Sequence, residues 1–190
     1  PTLNRYGYPH LAATAATDRA YELGQRWPNS FWMLGTSTQG AQALVEVLTA
    51  ARDAGTIGNV IAMASVADAF GIELSSAARP ALLEAGFSLP YDVSYPVGSQ
   101  DLQPILADAM RADPDVFVAF SYPPDTLGLT EAARVIGFNP TVFYTAVATA
   151  FPLFRDRFGA DAEGVLGIGG VNPDDPAYQE YFERHVAVTG

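Results

Sequence analysis

Short runs of apolar residues alternate along this chain with stretches in which apolar residues recur every three or four positions. Residues 60–64 are apolar throughout, as expected of a strand that is buried on both faces of a sheet. In residues 39–54 the apolar positions share one helical face, and Gly55 ends the predicted helix. Further strands are predicted at residues 10–13, 31–34, 93–95, 116–120, 142–144 and 165–168, and further helices at 69–85, 102–110, 125–137, 153–158 and from 177 onward.

Helices that separate consecutive strands imply right-handed βαβ crossovers and therefore a mainly parallel sheet. The predicted fold class is α/β with three layers, in which helices cover both faces of the sheet, as in flavodoxin-like and Rossmann-like domains. Pro80 falls inside one predicted helix, where it should remove a backbone hydrogen bond and kink the helix.

The amino-acid composition excludes several classes of function for this chain. Of the 190 residues, 49% are hydrophobic and 16% are charged, so the chain can bury a large core and is not expected to be disordered. A net charge of -11 argues against nucleic acid or an anionic membrane as the partner. The absence of cysteine excludes disulfides, zinc-thiolate sites and thiol catalysis. No apolar run approaches the roughly 20 residues that span a bilayer.

No catalytic, cofactor or metal motif is recognisable. His10 and His185 are far apart in the sequence, and neither belongs to a metal-ligand motif. The glycines of residues 164–170 do not form the dinucleotide-binding pattern between a strand and a helix, and there is neither a Walker sequence nor a nucleophile elbow. We therefore predict no catalytic residue, no cofactor and no metal.

The strand at residues 116–120 leads into the most informative segment. It ends in Ser121, Tyr122, two prolines and Asp125, and a helix follows. This places one aromatic ring and one carboxylate at the carboxyl end of a parallel strand, where open α/β sheets bind ligands. Asp125 either caps the helix or holds a ligand cation, and the segment favours a binding cleft over a catalytic one.

Several segments, in order along nearly the whole chain, resemble the solute-binding proteins of branched-chain amino acid type transporters, which have the type I periplasmic binding fold. Residues 5–10 with Ala15-Ala16-Thr17-Asp18 are similar to one family segment, and Asp68-Ala69-Phe70-Gly71 to a strand-to-helix turn of the family. Tyr122-Pro123-Pro124-Asp125 and Ala162-Glu163-Gly164-Val165 resemble two more.

The resemblance implies a domain organisation. Family members have two similar lobes around a cleft and are about twice as long as this chain. Residues 1–30 are then expected to be a remnant of the first lobe, residues 31–170 the second lobe, and residues 171–190 a segment that returns toward the first lobe. The chain is accordingly expected to be processed or cut from a longer protein.

The resemblance also implies ligand-binding residues. Ala15 and Thr17 match positions that hold the carboxylate of an amino-acid ligand, and Asp125 matches the acidic residue that holds its ammonium group. Phe70 and Tyr122 match positions at the cleft. The alternatives are that Thr17 is only a helix cap, that Asp125 is a solvated cap and that Phe70 is part of the core.

Other polar and small residues near strand ends are weaker candidates. Ser37, Thr38 and Gln39 open a helix and are able to donate to a ligand, although a capping role is our default interpretation. Ala146 follows a strand and is a candidate cleft wall.

The function implied by this resemblance is that of a solute-binding component of an ABC importer. It would capture a small amino acid or related carboxylate in the periplasm, deliver it to a membrane permease and perform no chemistry. Self-association is expected where apolar first-lobe surface is exposed. Two alternatives remain open: a ligand-sensing receptor or regulator domain of the same fold, and an α/β enzyme without a recognisable motif.

Overall fold

A five-stranded parallel sheet forms the centre of the structure, a computed structural model that describes residues 1–168 and 175–189. The strands are β1 (His10–Ala12), β2 (Ser30–Trp32), β3 (Val60–Val66), β4 (Ser88–Tyr95), β5 (Val116–Phe120), β6 (Val142–Thr145) and β7 (Val165–Gly167). The central sheet has the order β4-β3-β5-β6-β7, while β1 and β2 form a separate parallel pair. The helices are α1 (Thr2–Arg5), α2 (Ala20–Arg26), α3 (Ser37–Asp53), α4 (Ala69–Glu84), α5 (Gln103–Arg111), α6 (Pro123–Ile136), α7 (Pro152–Phe158) and α8 (Pro176–Thr189).

The side chains of the central strands alternate between two apolar cores, one on each face of the sheet. On β5, Val116, Val118 and Phe120 pack in the core that α3 and α4 cover. Phe117 and Ala119 pack in the core that α5 and α6 cover. Because none of these five residues is more than 1% exposed, β5 is buried on both faces. The predicted three-layer α/β fold is confirmed.

The edge strand β4 is longer than the sequence pattern indicated. A strand was predicted only at residues 93–95, whereas β4 begins at Ser88. Pro90 lies inside it, and proline is tolerated in an edge strand because its missing N–H need not pair with a neighbour. Tyr95 is the one fully buried residue of β4, so the strand lacks a strong apolar pattern.

Helix α4 matches the helix predicted at residues 69–85 and contains Pro80, as expected. Pro80 is exposed, as is Ser76 one turn earlier, so solvent can reach the carbonyl that Pro80 leaves unpaired. Helices α1 and α2 were not predicted. Both are short and contain no buried residue, so neither has an apolar stripe to detect.

The segments at the two ends of the chain carry most of their large apolar side chains on the surface. Helix α8, like α1 and α2, has no buried residue. The exposed apolar residues of these segments are Leu3, Tyr6, Tyr8, Leu11, Tyr21, Tyr181, Phe182, Val186 and Val188. The predicted boundary between the second lobe and the return segment, at residues 170 and 171, lies outside the described residues. Within residues 1–168 and 175–189, no helix has the length and apolar character needed to cross a membrane.

Gly71 permits the close approach of α4 to the end of β3. Its N–H donates to the side chain of Asp68, which caps the helix, at 3.0 Å. A Cβ at this position would overlap the backbone carbonyl of Val66, and neither backbone segment can move without disturbing the sheet.

Gly71→Ala is therefore expected to lower the free energy of unfolding by about 1–3 kcal/mol, as overpacking in a core does. Urea unfolding followed by circular dichroism measures this change. The matched control is Gly24→Ala in α2, where no atom lies within 4 Å of the added methyl group. The control should be neutral or stabilising, by up to about 1 kcal/mol. Equal effects of the two substitutions would contradict the packing argument.

Candidate functional site

Two helix starts meet at the carboxyl edge of the central sheet. Strands β3 and β5 are parallel neighbours, so the turns that follow them place the beginnings of α4 and α6 side by side. Phe70, in the first turn of α4, stacks on Tyr122, which precedes α6, with ring centroids 5.0 Å apart and an interplanar angle of 22°. The structure thus brings two of the predicted site residues into direct contact. Phe70 also packs against both apolar cores, so it is at once a core residue and part of this edge.

Asp68 fixes the Tyr122 side chain. The Tyr122 hydroxyl donates to Oδ2 of Asp68 at 2.7 Å, while Oδ1 of Asp68 caps α4 through Gly71. Burial raises the pKa of Tyr122 to about 12, with further contributions from the hydrogen bond to Asp68 and the negative charges of Asp68 and Asp125. Tyr122 therefore remains a neutral donor at physiological pH.

Asp125 is a buried carboxylate at the third position of α6. Tyr122 holds the N-cap position, and Asp125 is only 6% exposed, so Asp125 is not a solvated cap. Burial raises its pKa, and the charge of Asp68 raises it further, while the backbone N–H of Tyr122 and the nearby Tyr95 hydroxyl oppose the shift. Among the described residues, no ion pair to an arginine or histidine neutralises Asp125.

Tyr95, the last residue of β4, is a site residue that sequence reasoning missed. It is 3% exposed, and its buried hydroxyl makes no hydrogen bond with another described residue. By distance and angle this hydroxyl makes no hydrogen bond with Asp125, although the two groups are close enough to shift each other's pKa. Burial, followed by the charge of Asp125, raises the pKa of Tyr95. The available signal was its position, because Tyr95 ends a strand on the same sheet edge as Tyr122.

Thr17 reaches this edge of the sheet through a hydrogen bond to α4. The Thr17 hydroxyl donates to Oε1 of Glu73 at 3.0 Å and accepts from the backbone N–H of Arg19 at 3.2 Å. Arg19 occupies the N-cap position of α2, so Thr17 supports the turn before that helix and is not its cap. Ala15 is exposed in the loop between β1 and α2.

The residues that open α3 largely serve the helix itself. Gln39 and Thr36 form a reciprocal capping box, with hydrogen bonds of 2.9 and 3.1 Å. Thr38 donates to Asp18 through both its backbone N–H and its hydroxyl, each at 2.9 Å, and these contacts lower the pKa of Asp18. The capping interpretation is confirmed for Gln39. Ser37 differs, because its buried hydroxyl donates to Oε2 of Glu73 at 3.2 Å.

Ala146 and the cavities lie apart from this cluster. Ala146 is 2% exposed and packs in the core under α3 and α4. A cavity of about 610 Å³ lies around Arg134 and Phe138, and one of about 390 Å³ lies between α3 and β7. Neither cavity is lined by Asp68, Phe70, Tyr95, Tyr122 or Asp125. In the part of the chain that the structure describes, no group of three or more histidine, aspartate or glutamate side chains is placed to hold a metal ion.

A family model described as periplasmic binding protein matches residues 1–190. The chain belongs to the periplasmic binding protein family. The resemblance seen in its motifs, to the binding proteins of branched-chain amino acid transporters, is confirmed.

Solved structures share the fold of this periplasmic binding protein at low sequence identity. A leucine-, isoleucine-, valine-, threonine- and alanine-binding protein from Brucella ovis, in a closed conformation, is 20% identical, with a TM-score of 0.76 over 96% of this chain and 46% of its own. A leucine-binding protein from Thermotoga maritima is 18% identical, with a TM-score of 0.80 over 100% and 53%. An extracellular ligand-binding receptor from Rhodopseudomonas palustris is 17% identical, with a TM-score of 0.82 over 100% and 54%. The chain thus spans about half the length of these proteins.

The raised pKa of Asp125 makes the stability of the binding protein depend on pH. The native state binds the carboxyl proton more tightly than the unfolded chain does, so this group favours the native state at acid pH. That contribution is lost as the pH rises from the usual carboxyl pKa through the raised one. Asp125→Asn, which carries no charge, is expected to be more stable than wild type at neutral pH, with a smaller difference in acid.

Urea unfolding of both proteins from acidic to neutral pH measures this difference. Asp156→Asn, which removes an exposed carboxylate of α7, is the control, and its difference from wild type should change little with pH. A difference for Asp125→Asn that stays constant across the range would show that burial does not perturb this carboxyl group.

Proposed function

We propose that this protein is the solute-binding component of an ABC importer and captures a small amino acid or related carboxylate between two lobes. The observation that carries the proposal is the buried carboxylate of Asp125 beside the unpaired hydroxyl of Tyr95 and the stacked rings of Phe70 and Tyr122. A buried carboxylate without a cationic partner and a buried hydroxyl without a hydrogen bond are costly, and a ligand that supplies both removes the cost.

The chemistry of the cluster suits the amino end of an amino acid. An ammonium group would form a charge-assisted hydrogen bond with Asp125, and the Tyr95 hydroxyl offers a further acceptor or donor. The ring pair of Phe70 and Tyr122 provides an apolar surface for a side chain. Asp68 restrains Tyr122, so this surface is formed before the ligand arrives.

The domain assignment belongs to the same proposal. Residues 31–170 would form the second lobe, and residues 1–30 and 171–190 would belong to the first. The half-length match to two larger binding proteins supports a two-lobe division of this kind. Closure of the lobes around the ligand would create the form that a membrane permease recognises in the periplasm.

The proposed role includes no chemical step. The cluster contains carboxylates, tyrosines and a phenylalanine, but neither histidine: His10 lies on β1 and His185 on α8. None of its hydroxyls is paired with a base that would turn it into a nucleophile, since Tyr122 donates to a helix-capping carboxylate.

L-Leucine is the first probe, because two structural relatives are named for binding it. Asp125→Asn is expected to weaken leucine binding by at least about 30-fold, the lower end of the loss when a buried charge partner is removed. Amide chemical shifts followed during titration detect weak as well as tight binding. Asp156→Asn should bind like wild type. Equal leucine affinities for wild type and Asp125→Asn would contradict the assigned role of Asp125.

The exposed apolar side chains of the terminal segments support a second part of the proposal, self-association of this chain. Phe182, 53% exposed on α8, stacks on Tyr178 with ring centroids 6.4 Å apart and presents a purely apolar ring to solvent. Phe182→Glu is expected to shift the protein toward monomer in sedimentation velocity. Val135→Glu, a similar change at an exposed position of α6, should leave the distribution unchanged. A wild-type chain that stays monomeric over a wide concentration range would contradict self-association.

A further inference from the structure

Glu73 on α4 is engaged by two hydroxyl groups from other parts of the chain. Thr17, in the loop before α2, donates to one carboxylate oxygen at 3.0 Å, and Ser37, at the start of α3, donates to the other at 3.2 Å. Both oxygens of Glu73 are therefore in use. Ser37 is only 1% exposed, so its hydroxyl needs an internal partner, and Glu73 supplies it.

Glu73 lies next to the cluster proposed to bind a ligand. It follows Phe70 by three residues on the same helix, so the two side chains emerge from neighbouring positions on one face. Phe70 stacks on Tyr122, and Tyr122 donates to Asp68. Thr17 thus meets α4 one helical turn beyond the aromatic pair, at the same edge of the sheet.

We infer that Glu73 is a specificity-determining residue whose carboxylate occupies the hydroxyl donors that a ligand carboxylate would otherwise use. This inference rests on the proposed function and narrows its ligand class. A compound whose only charge is a carboxylate would have to displace Glu73 from Thr17 and would face its negative charge. A compound with a cationic nitrogen would be attracted instead.

The other charged groups around Glu73 also disfavour a ligand whose only charge is negative. Asp68 and Asp125 lie at the starts of α4 and α6, so this edge carries three carboxylates. The basic group that interacts with Glu73 is Arg19, which is exposed and pairs with Glu22 at 3.3 Å. An exposed pair of this kind contributes little and is screened by salt, so it does not neutralise the edge.

The Tyr95 hydroxyl independently indicates that a ligand group belongs beside Asp125. It is buried without a hydrogen bond, in contrast to the Thr17 and Ser37 hydroxyls, which Glu73 satisfies. Unmet hydrogen-bonding capacity therefore lies at the Asp125 end and not at the Thr17 end. The ligand class that fits this division has a cationic nitrogen as its obligatory charge, so amino acids qualify and simple carboxylic acids do not.

Three probes of one carbon skeleton test the inference on the whole chain at neutral pH. L-Leucine carries both charges, 3-methylbutylamine lacks the carboxylate, and 4-methylpentanoate lacks the ammonium group. In amide chemical-shift titrations of wild type, the Kd of the amine is expected to lie within about tenfold of that of leucine, and the acid is expected to bind at least about 100-fold more weakly. The reason is that an interaction between two unit charges a few ångströms apart changes affinity by several-fold to about 100-fold. Wild-type protein that binds the acid as tightly as leucine would overturn the inference without any substitution.

Glu73→Gln removes the charge and keeps the shape. It is expected to strengthen binding of the acid by about tenfold relative to the amine, because the partly screened repulsion between the Glu73 carboxylate and the carboxylate of the acid is lost. Glu84→Gln, at the exposed last residue of the same helix, removes the same charge away from the cluster and should leave the ratio of affinities unchanged. Thermal unfolding of both variants establishes that each is folded.

The outcomes separate the two proposals. If leucine binds, Asp125→Asn weakens it, and Glu73→Gln leaves the ratio of acid to amine affinity unchanged, the role of Glu73 is wrong and the binding function stands. If none of the three probes binds to wild type, the proposed amino-acid binding and the inference fail together.

Discussion

The carboxylate of Asp68 is shared between the starts of two neighbouring helices. One oxygen accepts from the backbone of Gly71 in α4, and the other accepts from the Tyr122 hydroxyl at the start of α6. The contact exists because β3 and β5 are adjacent and parallel, so both helices begin at the same sheet edge. The stack of Phe70 on Tyr122 depends on it, since the hydrogen bond limits where the Tyr122 ring can lie. One capping interaction therefore organises the aromatic surface of the cluster.

Helix starts also explain how this edge tolerates several carboxylates. Unpaired backbone N–H groups and the positive end of the helix dipole stabilise anions in the first turn. Asp68 at α4 and Asp125 at α6 occupy such positions. This stabilisation is partial for Asp125, because burial still raises its pKa. Among the described residues, neither Asp68 nor Asp125 forms an ion pair with an arginine or histidine.

The sequence predicted most of the fold and the parts of the cluster that are local in the chain. Strand β5 and its following turn form a continuous pattern, so Tyr122 and Asp125 were correctly placed at a sheet edge, and Phe70 at the equivalent turn after β3. Adjacency of those turns follows from strand order, which the pattern does not specify. The structure supplied that order.

The missed residues act through distant partners. Tyr95 ends an edge strand whose pattern is interrupted by Pro90, so neither its burial nor its approach to Asp125 was readable. Glu73 resembles any polar residue on a helix, yet its partners are 56 and 36 positions away in the sequence. A single sequence predicts the chemistry of neighbouring residues, whereas contacts between residues far apart in the chain are seen only in the folded structure.

The two ends of the cluster differ in whether their polar groups have hydrogen-bond or ionic partners. At one end Glu73 completes the hydrogen bonds of Thr17 and Ser37, so nothing there is gained by adding a ligand group. At the other end Asp125 is buried without an ion pair among the described residues, and the Tyr95 hydroxyl makes no hydrogen bond with them, so the folded protein bears a desolvation cost there. Under the proposed function, a ligand that meets those groups would recover this cost as binding free energy. Selection would then act through charge at Asp125 and through shape at the stacked rings.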